Sequence, residues 1–304
     1  MILDQYLHDR HVVIGILFAA ASLSFALPSA AFACDLPPGQ KGTVAEVRDG
    51  ETLALTDGTL VRLIDAKAPA APLAVRSDRP WPFVSEAKQA LSELVSGAEV
   101  ELRYGGAKAD RHGRALAQVY VVKGGERLWL QGELVGKGLA RVYSFPDNHA
   151  CVDDLLAREA EARAKGAGLW GTWAYRVLDA GNVERLGRLT RSYQLVEGVV
   201  AEVGESGGRL YLNFDKDWRK DFTILMERKD GEAFKAAGID PKALAGKKLR
   251  VRGWVEWRNG PMIHATHAEQ IELLPEGGST SAPSPSVPSA PQDREQAPTG
   301  AIEL

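Results

Sequence analysis

The stretch from Gly42 to Ile64, GTVAEVRDGETLALTDGTLVRLI, alternates short apolar runs with two Asp-Gly dipeptides. Asp-Gly favours the tight turns between antiparallel strands, because glycine readily takes the positive φ such turns need. Gly42–Glu46, Thr52–Thr56 and Leu60–Ile64 are therefore expected as a three-stranded meander. A meander is marginal alone and needs further strands or a helix to cover its apolar face. The chain supplies both. FVSEAKQALSELV, from Phe83 to Val95, sets Val84, Ala87, Leu91 and Leu94 on one helical stripe and stops at Gly97. Glu99–Tyr104 and Ala115–Val122 read as two more strands joined by the loop GGAKADRHGR, and helices are expected at Leu128–Lys137 and Val152–Lys165.

Five strands interleaved with helices in this order suit a small closed barrel of the oligonucleotide- and oligosaccharide-binding (OB) type. A second module follows, with strands expected at Gln194–Val203, Arg209–Phe214, Asp221–Met226, Lys248–Trp257, Met262–Ala265 and Ile271–Leu274, and a helical segment between Glu232 and Ala245. The fold class is mainly β of the α+β kind: an OB-type five-stranded barrel with packed helices, then a second small OB-like barrel. No repeat at fixed period links the two. The organisation is a signal segment at 1–33, a first domain at 34–178, a linker at 179–190, a second domain at 191–276 and a tail at 277–304.

The ends carry their own signals. VVIGILFAAASLSFAL, from Val12 to Leu27, is an apolar run ahead of the small-residue triplet Ala31, Phe32, Ala33, which is a secretory pattern with cleavage after Ala33. The chain is thus expected to be exported, periplasmic or secreted. The alternative is an uncleaved membrane anchor, since Asp4 and Asp9 make an unusual leader. The tail, rich in Pro, Ser and Ala, lacks the apolar groups that repay ordering. Two cysteines, Cys34 and Cys151, would pair in an oxidising compartment, with lipidation of Cys34 or two free thiols as the other readings. The net charge of −3 gives no basic excess, which argues against tight, sequence-independent phosphate binding.

The segments GTVAEVRDGETLAL, VRLIDAKAP, DRHGRALAQVY, LVGKGLARVY and AEARAKGAGLWG occur in the order and spacing of the staphylococcal-nuclease-like (thermonuclease) family, which Gly42 to Trp173 resembles. The resemblance implies a barrel that cleaves DNA or RNA phosphodiesters with one Ca²⁺ ion. In such sites two carboxylates and a carbonyl hold the metal, a glutamate orients water, and two arginines grip the phosphate. Carried over by position, Glu51 stands for the first metal carboxylate, and Arg62 and Arg114 are the phosphate-gripping, catalytic arginines. The second metal carboxylate is replaced by Lys67, the carbonyl neighbour is Ala68, Pro69 matches, and the water-activating glutamate is replaced by Ala70.

These replacements reach the chemistry itself. Losing a general base costs about 10²- to 10⁴-fold in rate. A divalent ion about 4 Å from a unit positive charge is repelled by roughly 8 kcal/mol at an effective dielectric near 20. Arg62, Lys67 and Arg114 instead form a cationic set able to bind an anion without cleaving it; Lys67 could equally face solvent or pair with Glu51 or Asp65. His112, in the arginine loop, shows no partner. In LRVRGWVEWR, Arg250, Arg252 and Trp254 share one strand face, a surface on which single-stranded nucleic acid or a saccharide could stack. The spacing of His264, His267 and Glu269 is a weak metal signal.

The expected function is that of an exported nuclease-fold protein, catalytically impaired, binding single-stranded nucleic acid, a nucleotide phosphate or envelope proteins, with no cofactor. One alternative is an active Ca²⁺-dependent nuclease using Glu51 and a relocated Asp65; another is an envelope interaction scaffold, touching the membrane only if the N-terminal segment stays uncleaved.

Overall fold

Strand β1 (Lys41–Asp49) turns at Asp49, whose Oδ1 accepts the Glu51 N–H at 2.8 Å, and returns as β2 (Thr52–Leu55). The second Asp-Gly pair makes the next turn: Asp57 Oδ1 accepts the Thr59 N–H at 2.9 Å and Gly58 sits at φ 87° before β3 (Leu60–Leu63). The meander is as expected from its turns. These features belong to a computed structural model that describes residues 34–71, 80–123, 126–217 and 221–275. The expected signal segment and tail lie outside the described residues.

Helix α1 (Val84–Val95) buries Ala87, Leu91 and Val95 and leads into β5 (Glu99–Arg103) and β6 (Ala115–Lys123), with the short β4 (Asp65–Lys67) preceding it. β1 pairs with both β2 and β5, β5 with β6, and β6 runs parallel to β3. The ring β1-β2-β3-β6-β5 is therefore closed, and no edge is left within it. Leu53, Val61, Leu63, Val100, Leu102 and Val119 fill its interior. The segment expected as one helix from Leu128 is divided: β7 (Glu126–Trp129) extends the β6 hairpin, and α2 (Leu130–Gly136) follows. Then come β8 (Arg141–Tyr143), which pairs with β4, and α3 (Val152–Ala164). Cys34 and Cys151 are disulfide-bonded, tying the first described residue to the start of α3 across a separation of 117 positions.

The stretch expected as a linker is folded. β9 (Leu178–Asp179) pairs parallel with β10 (Tyr193–Val199), α4 (Val183–Arg188) lies between them, and Leu178, Ala180 and Leu186 are buried in the second core. Beyond β10 the chain bends at Val200 and Ala201 and continues as β11 (Glu202–Ser206), followed by β12 (Arg209–Asn213), β13 (Thr223–Glu227), α5 (Gly231–Ala236), β14 (Lys248–Trp257), β15 (Pro261–His264) and β16 (Ile271–Leu273). β10 pairs with β14 and β11 with β12, so the bent strand closes a second ring, β10/β11-β12-β13-β15-β14. The parallel pair β13–β15 repeats β3–β6 of the first barrel, and each barrel inserts a helix between its third and fourth strands.

The barrels meet along β8, α3, β10 and β14. A third apolar cluster of Leu169, Trp170, Tyr175, Tyr193 and Leu195 lies there. Beside it run buried ion pairs. Arg252 Nη2 is 2.8 Å from Glu159 of α3 and also pairs with Glu272; Arg250 pairs with Glu197 and, at 2.6 Å, with Glu272; Arg163 pairs with Glu159 at 3.0 Å and Glu272 at 3.3 Å.

Candidate functional site at the barrel junction

Gly50 lets the Asp49–Glu51 turn approach β4 and α1: a Cβ there would lie 2.8 Å from the Ala68 Cβ and 3.0 Å from the Ala87 Cβ. Glu51 is thereby set beside Arg62 of β3, whose Nη1 is 2.6 Å from Glu51 Oε1, while Oε2 accepts the Ala68 N–H at 2.6 Å. Both side chains are largely buried. The retained acid is therefore committed to a guanidinium and a backbone donor.

Lys67, at the end of β4, stands between the barrels. Its Nζ lies 5.8 Å from the centroid of the Tyr143 ring and 5.3 Å from that of Trp254, distances at which an ammonium is held by the ring quadrupoles. Burial lowers its pKa from the ordinary lysine value; Glu51 and Asp49 raise it, and Arg62 and Arg141 lower it further. Trp254 Nε1 donates to the Tyr143 hydroxyl at 3.1 Å, and both rings meet Tyr193 edge-on. Tyr143 and Trp254, with Phe145 and Tyr193, also line a cavity of about 180 Å³ that reaches His264 and Glu256.

The structure brings Glu51, Arg62 and Lys67 together, whereas Arg114 pairs with an acid of its own loop. Arg114 Nε donates to Asp110 Oδ2 at 2.7 Å within its own loop. His112 is exposed and accepts from Arg111 Nε at 3.1 Å. Asp65 does not turn toward the site: at φ 63° it sends its carboxyl inward, where Oδ2 accepts from Gln118 Nε2 at 2.7 Å, and burial raises its pKa well above the carboxylate range. Ala70 is exposed and carries no acid-base group. Among the described residues no group of three or more His, Cys, Asp or Glu side chains is placed to hold a metal ion. The donor set here, one acid bound by arginine beside an ammonium, does not fit the Ca²⁺ that the nuclease resemblance implies, and His264, His267 and Glu269 form no such group either. His267 Nε2 is hydrogen-bonded to Ser144 at 2.7 Å and Glu269 to His149 at 2.5 Å.

The expected binding face of β14 needs correction. Arg250, Arg252 and Trp254 do share a face, but Arg250 is 5% and Arg252 0% exposed, because α3 and β8 of the first barrel cover them and Glu159, Glu197 and Glu272 neutralise them. Only Trp254 keeps an open side, at 39% exposure. Tyr143, Tyr193 and Arg141 were missed from sequence. Their signal was the register β4–β8, which sets Lys67 opposite Arg141, and that pairing is long-range.

Residues 60–172, from β3 through α3, match the family model described as staphylococcal nuclease homologue, so the chain carries a staphylococcal-nuclease-like domain. No curated protein matches the chain.

Proposed function

We propose that this is an exported, non-hydrolytic binder of a phosphate-bearing ligand, a nucleotide or short single-stranded nucleic acid, taken at the junction of its two barrels. The observation that carries the reading is the Lys67 ammonium, which stands where a metal carboxylate would be needed and lies against Tyr143 and Trp254. An anion drawn to Lys67 would place any attached ring beside the aromatic cavity those residues line. The Cys34–Cys151 disulfide supports export, because such bonds persist in oxidising compartments. The rival reading, Ca²⁺-dependent hydrolysis through Glu51 and Asp65, is weakened by the engagement of both carboxylates elsewhere.

The test is calorimetric titration with a nucleoside bisphosphate in chelator, beside a Ca²⁺-dependent digest of single-stranded DNA. Saturable binding that falls with salt and weakens about tenfold in Lys67→Gln is expected, with no cleavage. A digest that requires Ca²⁺ and is abolished by Glu51→Ala would refute the proposal, as would equal binding by wild type and Lys67→Gln.

A further inference from the structure

Two indoles stand out of the surface on either side of α4. Among the described residues Trp257 and Trp173 are the most exposed of the large apolar side chains, at 61% and 59%. Trp173 lies on the Arg185 flank of the helix, where Arg185 Nη2 donates to the Trp173 carbonyl at 3.4 Å. Trp257 lies on the Gly187 flank, where a Cβ on the glycine would come within 2.8 Å of the indole ring. Positions 185 and 187 are about 200° apart on a helix of about 3.6 residues per turn, and Leu186 between them faces the second core. The outward face of α4, with Glu184 and Arg188, is therefore bounded by one tryptophan on each side. Trp81 meets Trp173 edge-on, with 5.8 Å between ring centroids, and braces it.

The charge on this surface is one-sided. From Trp173 to Arg191 the chain has four arginines, no lysine and two acids, although its net charge is −3. Glu184 is taken by Arg188, and Asp179 Oδ1 accepts the Gly181 N–H at 2.7 Å. Arg176 and Arg191 are exposed and, like Arg185, form no ion pair among the described residues. Burial lowers the Arg185 pKa, and the charge of Arg176 beside it lowers it further, with no carboxylate opposing. Like charges left together without an acid repel, and an anion from outside relieves that repulsion.

We infer that this surface docks on an anionic membrane, with Trp173 and Trp257 seated at headgroup level and Arg176, Arg185 and Arg191 against lipid phosphates. Indoles favour that boundary because the ring is apolar and its N–H is polar. Guanidinium groups bind phosphate oxygens in pairs and are more weakly hydrated than ammonium groups, which suits a set made only of arginine. A single strand of nucleic acid suits the surface less. Its neighbouring bases stack about 3.4 Å apart, whereas a helix about 10 Å across separates the two indoles. A bilayer accepts side chains at any spacing in its plane.

Both cores are built from residues at or after Cys34, so the chain from Cys34 on keeps the two barrels and removes the apolar N-terminal run, which would bind lipid by itself. The experiment is cosedimentation of that chain with phosphatidylglycerol vesicles and with phosphatidylcholine vesicles, beside a titration with a single-stranded oligonucleotide. Binding to the anionic vesicles that falls with salt, and little binding to the neutral ones, is expected. Trp173→Ala and Arg176→Gln each weaken it about fivefold, and the double variant about twentyfold. Both side chains are exposed, so the variants keep the circular dichroism of the wild type. The inference fails if phosphatidylglycerol vesicles do not bind, if neutral vesicles bind equally well, if these variants bind as the wild type does, or if they lose the oligonucleotide rather than the lipid. Lys67→Gln is expected to bind vesicles as the wild type does; a loss there would place the lipid at the junction and overturn the assignment.

Discussion

Replacing Arg252 by methionine tests how the two barrels are held. Its guanidinium is fully buried, 2.8 Å from Glu159 of the first barrel and paired with Glu272 of the second. At an effective dielectric near 20, unit charges 2.8 Å apart attract by about 6 kcal/mol, and the cost of dehydrating them cancels much of that. The substitution leaves Glu159, also fully buried, with Arg163 and the Val142 N–H, and leaves the cluster with an uncompensated negative charge. Such a vacancy costs about 3–5 kcal/mol. Glu159→Gln breaks the balance the other way, whereas the double variant leaves Arg163 and Arg250 matched by Glu197 and Glu272. A double-mutant cycle in urea, followed by far-UV circular dichroism and tryptophan fluorescence, is expected to give a coupling of about 2 kcal/mol or more. If Arg252→Met costs less than about 1 kcal/mol, or if the two losses simply add, the network does not join the barrels and this reasoning is wrong.

The disulfide closes a loop of 117 positions, so Cys34→Ser is expected to lower stability by about 4–5 kcal/mol on the chain-entropy model, read as a fall in urea midpoint that reductant reproduces in the wild type; two free thiols by mass would contradict it. Burial lowers the His267 pKa from 6.5 to about 4, with Glu269 pulling it up and His149 pushing it down, so the ring folds neutral and its share of stability falls as pH drops from about 6.5 to 4. The stability gap between wild type and His267→Gln is expected to narrow over that range, and a gap independent of pH would refute the assignment. Burial would raise the pKa of Glu272, but Arg252, Arg250 and Arg163 outweigh it and hold the group at about 2, so its contribution is full above about pH 4.5 and is lost as pH approaches 2. Comparing wild type with Glu272→Gln isolates it from Asp65 and Asp221, whose raised pKa values act with the opposite sign.

The strands of both barrels were legible because Asp-Gly turns and two-residue alternation are local signals. The end of the β6 hairpin was not, since Glu126–Trp129 becomes a strand only by pairing with Tyr120–Lys123. Residues 179–190 read as a linker because the burial of Ala180 and Leu186 depends on a barrel assembled from residues beyond them. Alternation placed Arg250, Arg252 and Trp254 on one face correctly. It could not reveal that Glu159, far earlier in the chain, pairs with Arg252, or that Glu197 and Glu272 neutralise Arg250. The substituted nuclease positions were readable one by one. What surrounds Lys67 was not, because Trp254 reaches it from the other barrel.

That reach gives the substitution at position 67 a physical partner. The faces of aromatic rings carry negative electrostatic potential, so Tyr143 and Trp254 stabilise the ammonium of Lys67 and would disfavour a carboxylate side chain in its place. A carboxylate at this position would face those rings, and its natural counter-charge, Arg62, is already engaged by Glu51. An ammonium meets the opposite conditions: two ring faces attract it, and Glu51 and Asp49 lie near enough to raise its pKa against burial. The packing of the second barrel and the lysine are therefore consistent with each other, and neither is consistent with a metal ligand at this position. Restoring an aspartate at 67 alone would set its charge against Trp254 without gathering the other ligands. Recovering a cation site would require freeing Glu51 and moving the second barrel as well.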